Sequence, residues 1–453
     1  MLQWNEFEKI FSSRFWQKLK DSLVPYRPGE KPSNKRVFLK KLYDDILNRA
    51  YFPEHPRDYI VSDKHNYVAR IVPAFGYREN CVYFFAIKML EDKIAGNRVN
   101  GTYGGWRLGN PIRSKEEQEF DLVLSASLNS YNKFAWVQNW RDFQKKAYAY
   151  SSQQNYGCFI KFDIANFYDS INLDLLEKKI RLIISHQETF VVELLFHFLR
   201  YWNRKFENYY AKSVGLPQDE IGDMSRMLAN FYLQDYDTAM KDLCDQHSSA
   251  YLRYADDQII YAPDCDTGLY ILFEASKELF KINLNINSSK VTVFRNRTDF
   301  ERYWAFEIFE YLGDKNNTAD IARAVTMYFD WKKKKYDFRW ESVLTRLLSM
   351  NLDGVPVYLK HRLFSEFLTP EFLAGLSYWA FQKLYNQLSG SLDDLYKVLD
   401  PLIPTVKYNS FHYNLLKFYK KHRPGFDTKG LENRIDDLKV PNHAFTRPAF
   451  GGR

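Results

Sequence analysis

Apolar residues recur at helical spacing through the first fifty positions, with Phe7, Phe11, Phe15 and Trp16 in one set and Phe38, Leu42 and Ile46 in another. Two helices are therefore expected, separated by a Pro- and Lys-rich loop from Val24 to Arg36. Asn66 to Pro73 alternates and is β-branched, which predicts a strand, and Glu79 to Ala95 predicts a helix with a strongly aromatic buried side. Four glycines between Asn97 and Arg113 mark an irregular loop whose spacing fits neither a Walker A loop nor a dinucleotide fingerprint. The short apolar run Cys158 to Asp163 predicts a buried strand, followed by helices over Leu173–Ile184, Val191–Phe206 and Met224–Gln246. Ala250 to Ala262 holds two apolar runs around an acidic pair, the pattern of a β-hairpin. Beyond residue 298 the strand signals stop, and helical patterns run to about Lys421 without a fixed repeat period. The fold class expected is α+β, with a mixed middle third and an all-α last third.

Length, composition and charge narrow the function. At 453 residues the chain should form two or three domains, and 45% hydrophobic with 26% charged residues excludes wholesale disorder. A formal charge of +8 favours a polyanionic partner such as nucleic acid, and a membrane surface would satisfy the same arithmetic. Charges interrupt the N-terminal apolar residues, and no stretch supplies about 18 uninterrupted apolar positions, which argues against export and against membrane spanning. Cys81, Cys158, Cys244 and Cys265 are too scattered to read as a zinc ribbon or a disulfide framework, and a reducing cytoplasm fits them.

The chemistry centres on Tyr254-Ala255-Asp256-Asp257. Taken alone, an Asp-Asp pair suits a polar hairpin turn. Two adjacent carboxylates in an apolar hairpin would cost several kcal/mol each if buried unpaired, a cost that divalent cations offset. Phe162-Asp163-Ile164-Ala165-Asn166-Phe167-Tyr168-Asp169-Ser170-Ile171 supplies a third carboxylate at the end of a strand, although Asp163 alone also suits a turn or a helix cap. If this strand lies beside the hairpin, Asp163 and Asp256 can hold two magnesium ions about 3.5–4 Å apart, the spacing of two-metal phosphoryl transfer.

With these blocks in place the chain resembles the reverse transcriptases, in particular the bacterial ones related to group II intron, retron and antiviral-defence enzymes. Phe162 to Ile171 looks like the first catalytic block of that family and Tyr254 to Asp257 like its acidic box. Gly215-Leu216-Pro217-Gln218, with Ser225 and Leu228 to Leu233, is similar to the block between them, and Leu284 to Lys290 to the block that follows. The resemblance implies a right-hand polymerase: N-terminal helices and fingers over 1–150, a palm over 151–297, and an all-α thumb and C-terminal helical region over 298–453. It implies Asp163 and Asp256 as the main metal ligands, with the Ile164 backbone beside them and Asp257 as an auxiliary carboxylate. Two Mg2+ ions, with Mn2+ as a substitute, are the expected cofactors. Tyr168 falls where the family keeps a bulky aromatic beneath the sugar, which would exclude a ribose 2′-hydroxyl. Gln218 would support the nucleotide or template, and Lys290 would donate a proton to pyrophosphate. Lys64 and Arg70 resemble the fingers residues that grip the triphosphate.

Two departures stand out. Asp219 replaces the glycine that commonly follows the motif Gln, and Ser225 lies two residues further on than usual. The retron-type Val-Thr-Gly and Asn-Ala-x-x-His elements are absent, as is any likeness to a nuclease or RNase H after Lys290, so the resemblance points to the abortive-infection and defence-associated group. The reading is a cytoplasmic reverse transcriptase in antiphage defence. Its partners are an RNA template, with a dedicated noncoding RNA among the options, a DNA product and deoxynucleoside triphosphates. Self-association is left open. A retron or other cellular reverse transcriptase is the alternative within the class, and a catalytically silent RNA-binding scaffold the alternative outside it. In the last third, Lys332, Lys333, Lys334 and Lys335 lie between Trp331 and Tyr336, a pattern that suits single-strand binding as well as a solvated helix face.

Overall fold

The structure, a computed structural model, describes residues 3–22, 32–56, 58–63, 68–95, 98–109, 112–113, 120–121, 129–202, 213–219, 221–388 and 392–438. The described chain forms two compact units, one from residues up to 58 and 73–297, the other from 59–72 and 298–438. The first unit holds the motif blocks of the sequence in a single mixed core.

That core is built around the 77–95 helix. It is apolar on nearly every side, and a helix of that kind is stable only when surrounded. Phe84 stacks on Phe15 with ring centroids 3.6 Å apart, and Phe85 meets Phe7 at 5.0 Å. Among the described residues of the first fifty there are three short helices where two are expected: Trp4–Ile10, Ser13–Ser22 (α1) and Lys35–Leu47. The break at Phe11–Ser12 leaves the aromatic spacing almost unchanged, which is why periodicity alone merges the first two.

A five-stranded sheet carries the blocks. Its strands are β1 (Thr102–Tyr103), β2 (Cys158–Asp163), β3 (Ala250–Tyr254), β4 (Asp257–Ala262) and β5 (Thr292–Phe294), in the spatial order β1-β3-β4-β2-β5. β3 and β4 form the expected hairpin, with Tyr254 opposite Asp257. β2 lies antiparallel to β4 in a register that sets Asp163 opposite Asp257. Directly opposed residues share a face, so Tyr103, Tyr254, Asp257 and Asp163 stand on one side of the sheet. Arg253, Gln258 and Ile260 stand on the other.

Four helices flank this sheet: α2 (Ala135–Ser151), α3 (Asp223–Tyr232), α4 (Gln234–Gln246) and α5 (Cys265–Lys281). The single helix expected over Met224–Gln246 is thus two, parted at Leu233. α5 covers the face away from the carboxylates, where a Cβ on Gly268 would come within 2.9 Å of Ile160. α2 lies across the other face, with Phe143 against Tyr103 and Tyr254 and with the Tyr261 hydroxyl donating to Ala147 O at 3.2 Å. Cys158 and Cys265, the first residues of β2 and α5, form a disulfide with Cα atoms 5.1 Å apart. The cysteine spacing alone gives no disulfide framework to read; a separation of 107 residues hides a pairing that only the fold creates.

The second unit is helical from Thr298 onward, apart from the two-stranded 58–74 hairpin (Asp58–Asp63 and Ala69–Ala74) that packs with it. Asn409 explains that packing. On the Asn409–His422 helix, its side chain accepts from Val61 N at 2.7 Å and donates to Tyr59 O at 3.0 Å, satisfying a strand edge as another strand would. Among the described residues no helix is long and apolar enough to cross a membrane.

Candidate active site

The acidic turn is shaped by a buried cation. Ala255 sits between β3 and β4 with φ +54°, a left-handed conformation that costs a non-glycine residue about 1 kcal/mol. Both of its backbone groups are held: Ala255 N donates to Tyr103 O at 3.2 Å, and Ala255 O accepts from Arg253 Nη1 at 2.8 Å. Arg253 is fully buried on the helix side of the sheet. Its guanidinium also donates to both carboxylate oxygens of Asp237 on α4, at 2.7 and 2.5 Å, and to Asn230 on α3 at 2.7 Å. Tyr251 and Tyr236 complete this network through Asp237 and Gln258. One side chain therefore ties two helices to the turn that carries Asp256.

Two glycines let the 101–106 loop pass between that turn and α3. Gly104 has φ +121°, and a Cβ there would meet Asn230 Nδ2 at 3.0 Å. A Cβ on Gly105 would fall 2.7 Å from Arg226 Cβ. The loop that matches no phosphate-binding pattern thus serves close packing beside the site.

The structure brings Asp163, Asp256 and Asp257 together. Asp163 is 4% exposed, accepts from Lys290 Nζ at 2.5 Å through one oxygen, and leaves its buried Oδ1 without a hydrogen-bond partner. Asp257 is paired with Lys161, two residues before Asp163 on β2, at 3.2 Å. Burial, with the neighbouring Asp257 and Asp163 carboxylates, pushes Asp256 up to about 6, and Lys290 pulls the other way. Lys161 was not anticipated from the sequence, although the alternation of a strand places residues 161 and 163 on one face.

Ile164 follows directly. The 285–287 segment bonds to both of its neighbours, through Ala165 N to Asn285 O and Asn287 N to Asp163 O, each at 2.8 Å, and neither bond uses the Ile164 carbonyl. The same segment delivers Lys290. Tyr168 is half-buried against the core, and its phenol is raised by burial, with Arg226, Asp256, Tyr254 and Asp219 as the charged or polar groups it feels. Gly215 N and Leu216 N bond to Ile171 O and Tyr168 O at 2.8 Å, so the Gly-Leu-Pro-Gln block runs beside the Tyr168 segment and half-buried Gln218 lies close by.

Asp219 explains the longer loop. Its Oδ2 accepts from Ile221 N and Gly222 N, both at 3.2 Å, and so closes the extra residues into a turn. Its Oδ1 is buried without a partner, and burial pushes the carboxyl up to about 6. Ser225 still reaches back to Pro217 O, at 2.5 Å. Arg226, next to it, holds Asp223 at 2.9 Å and is a cation near the site that motif matching missed.

Other expected residues are placed elsewhere. Lys64 lies outside the described residues. Arg70 is exposed on the 58–74 hairpin, within the helical unit, so the structure does not assign it to the unit that holds the carboxylates. Of the lysine run, Lys332 is paired with Glu366 at 2.6 Å and Lys334 with Asp330 at 2.7 Å. Trp331 is buried against Phe338, which corrects the expectation that it offers a stacking face.

As they stand, no three His, Cys, Asp or Glu side chains among the described residues are gathered into a metal-ligand cluster. The donor set nevertheless suits a hard divalent cation: carboxylate oxygens only, one of them a buried orphan on Asp163, around an Asp256 that its like-charged neighbours disfavour as an anion.

A hairpin with two carboxylates stands opposite a strand-terminal third in an α+β fold consistent with a right-hand polymerase. Residues 105–316 match the family model described as reverse transcriptase (RNA-dependent DNA polymerase). Among solved structures, apo telomerase from Candida tropicalis is similar over 95% of this chain and 75% of its own, at 10% identity and a TM-score of 0.37. Telomerase from the same organism in complex with a TWJ fragment of telomeric RNA is similar over 90% of this chain and 70% of its own, at 12% identity and a TM-score of 0.34. At such TM-scores these likenesses carry no weight in reading the site. No curated protein matches the chain.

Two outcomes follow from the geometry. Because the Asp256 carboxyl is raised in the folded state, it binds a proton there that the unfolded chain has released, so it lowers stability as pH rises from about 4 to 6. Asp256→Asn should leave metal-free stability unchanged near pH 4 and raise it above pH 6 by about 1–2 kcal/mol, after allowance for partial exposure; thermal melts in EDTA at the two pH values measure this. Arg253→Met should cost about 3–5 kcal/mol by stranding Asp237, and Arg253→Met with Asp237→Leu should recover most of it. Urea melts of the single and double variants check the second expectation.

Proposed function

We propose that the chain is an RNA-directed DNA polymerase that extends a primer with deoxynucleotides on an RNA template and serves antiphage defence. The observation that carries the reading is the register that sets Asp163 opposite Asp257, with Asp256 on the turn between β3 and β4. The reverse transcriptase match over 105–316 supports the class of reaction. Support for the defence role comes from the resemblance to the defence-associated group and from the helical unit after residue 298.

Asp163, Asp256, Asp257 and the Ile164 carbonyl would hold divalent metal, Mg2+ or Mn2+. Bound there, the metal would neutralise phosphate charge and lower the pKa of the primer hydroxyl. The chain's own residues do the rest. Lys290, already on the Asp163 carboxylate, becomes available to protonate the departing pyrophosphate once that carboxylate takes another cation. Lys161 keeps Asp257 in place from below. Tyr168, half-buried and close enough to Asp256 to feel its charge, presents a rigid ring where the sugar of an incoming nucleotide would lie. A ring held by the core rejects an added hydroxyl better than a mobile side chain does, because yielding would disturb packing. Gln218, beside the Tyr168 segment, would contact the nucleotide or template. Lys333 and Lys335, the two lysines of the 332–335 run outside its ion pairs, would add a phosphate contact in the helical unit.

Asp163→Asn, or Asp256→Ala with Asp257→Ala, should abolish Mg2+-dependent incorporation of labelled deoxynucleotide by several orders of magnitude while circular dichroism stays that of the parent. The same variants should remove plaque protection in a phage-challenged host. Near-normal incorporation by a folded Asp163→Asn protein would refute the assignment. Tyr168→Val should lower the ratio of kcat/KM for dGTP to that for GTP at least tenfold, about 1.4 kcal/mol of discrimination; steady-state kinetics with both nucleotides measure it.

A further inference from the structure

The helix α2 lies on the carboxylate face of the sheet, and its outer side combines exposed aromatic rings with cations that make no ion pair among the described residues. Its inner side is accounted for: Phe143 and Ala147 pack on Tyr103, Tyr254 and Tyr261. Its N-terminal end abuts the acidic turn, where Trp140 meets the Tyr254 ring at 4.8 Å and the Tyr254 hydroxyl donates to Trp136 O at 3.3 Å. At about 100° per residue, positions 134, 141, 145 and 148 fall within roughly 60° of one another, on the side turned away from the sheet. They are Phe134, 60% exposed, Arg141, Lys145 and Tyr148, 42% exposed.

The charges on this stripe have no ionic partners among the described residues, whereas other exposed helix cations of the first unit are neutralised one turn away, Lys277 by Glu274, Lys281 by Glu278, Lys241 by Asp245 and Arg181 by Glu177 among them. Neither Arg141 nor Lys145 makes an ion pair among the described residues. Residues 133–150 contain four basic side chains and one acid, Asp142, which accepts from Gln138 at 2.9 Å. Uncompensated cations alternating with exposed rings suit one kind of ligand, a strand with a phosphate at each step and a flat base between. A folded protein partner would need acids and an apolar surface in the same narrow register. At 17 residues the helix is about 25 Å long, enough for several nucleotides.

We infer that the outer stripe of α2 binds single-stranded nucleic acid leading away from the acidic turn, with Arg141 and Lys145 on phosphates and Phe134 and Tyr148 stacked on bases. This deepens the polymerase reading and rests on it only for the origin of the strand. Binding can be measured without metal or nucleotide, so the two can fail separately.

The test is fluorescence anisotropy of a labelled single-stranded oligonucleotide, in EDTA, over a range of salt concentrations. Arg141→Gln with Lys145→Gln should flatten the slope of log K against log salt by about 1.4, at about 0.7 per phosphate contact on single strands. Phe134→Ala with Tyr148→Ala should weaken binding at least fivefold while leaving that slope unchanged, as expected for lost stacking. Lys277→Gln with Lys281→Gln, on the far face of the sheet, is the control and should change neither. Circular dichroism of each variant should match the parent, since all six positions are on the surface. A parental slope in the Arg141/Lys145 variant, an equal effect from the α5 control, or a parent that binds no oligonucleotide would each overturn the inference. Binding that responds as expected in a protein that incorporates no nucleotide would keep the stripe and remove the polymerase.

Discussion

The site depends on a charge that should not be where it is. Burying a guanidinium costs several kcal/mol unless every donor is met, and Arg253 is fully buried. Its donors are met by Asp237, Asn230 and Ala255 O, which belong to two helices and a turn. The cost of the charge is thereby converted into a constraint: the helices cannot shift against the hairpin without stranding an ion. The left-handed Ala255 persists for the same reason, since both its N–H and its C=O are engaged. A turn of glycine or asparagine would reach that conformation more cheaply. Alanine reaches it only because its surroundings impose it.

That rigidity is what allows three carboxylates to stand near one another. Like charges at close range separate if the backbone can yield, or protonate if it cannot. Here the register fixes Asp163 against Asp257 and the turn fixes Asp256, so relief comes from protons and lysines. Lys290 takes Asp163, Lys161 takes Asp257, and Asp256 is left with its carboxyl raised. A divalent cation would relieve all three at once, and would free Lys290 to turn toward an anionic ligand. The site thus holds one positive charge in reserve on the half-exposed Lys290, with the negative charge on a fixed frame.

What was legible in the sequence was local. Cys158 to Asp163 is apolar, short and ends in an acid, so its strand and terminal carboxylate could be read directly, as could the hairpin around Asp256-Asp257. Tyr168 lies a few residues from Asp163, and a turn keeps neighbours close. The rest needed tertiary pairing. Lys161 is visible as a polar residue in an apolar strand, yet nothing in its neighbourhood says that it faces Asp257. Arg253 precedes the acidic box as one more surface-type charge until Asp237 and Asn230, sixteen and twenty-three residues earlier, close around it. The lysine run also hides its pairings: Glu366, far along the chain, and Asp330, one turn away, neutralise two of the four side chains. Asn409 joins the 58–63 strand to the helical unit through backbone bonds that no hydrophobic pattern encodes.

The two faces of the sheet divide the work. Behind it, α5 and the Arg253 network leave little room for adjustment, and packing there sets where the carboxylates stand. In front, α2 packs on Tyr103 of β1, Tyr254 of β3 and Tyr261 at the far end of β4, while Asp163 ends β2 and Asp257 begins β4 beside the turn. A sheet covered on both faces along its whole width could hold the carboxylates but admit no substrate. A sheet bare on the front would admit substrate but lose the cover that keeps Tyr103, Tyr254 and Tyr261 packed. Partial coverage meets both demands. If a nucleic acid strand is the substrate, the boundary of α2 is where it would pass, and the exposed Arg141 and Lys145 on the outer side of that helix would attract its phosphates.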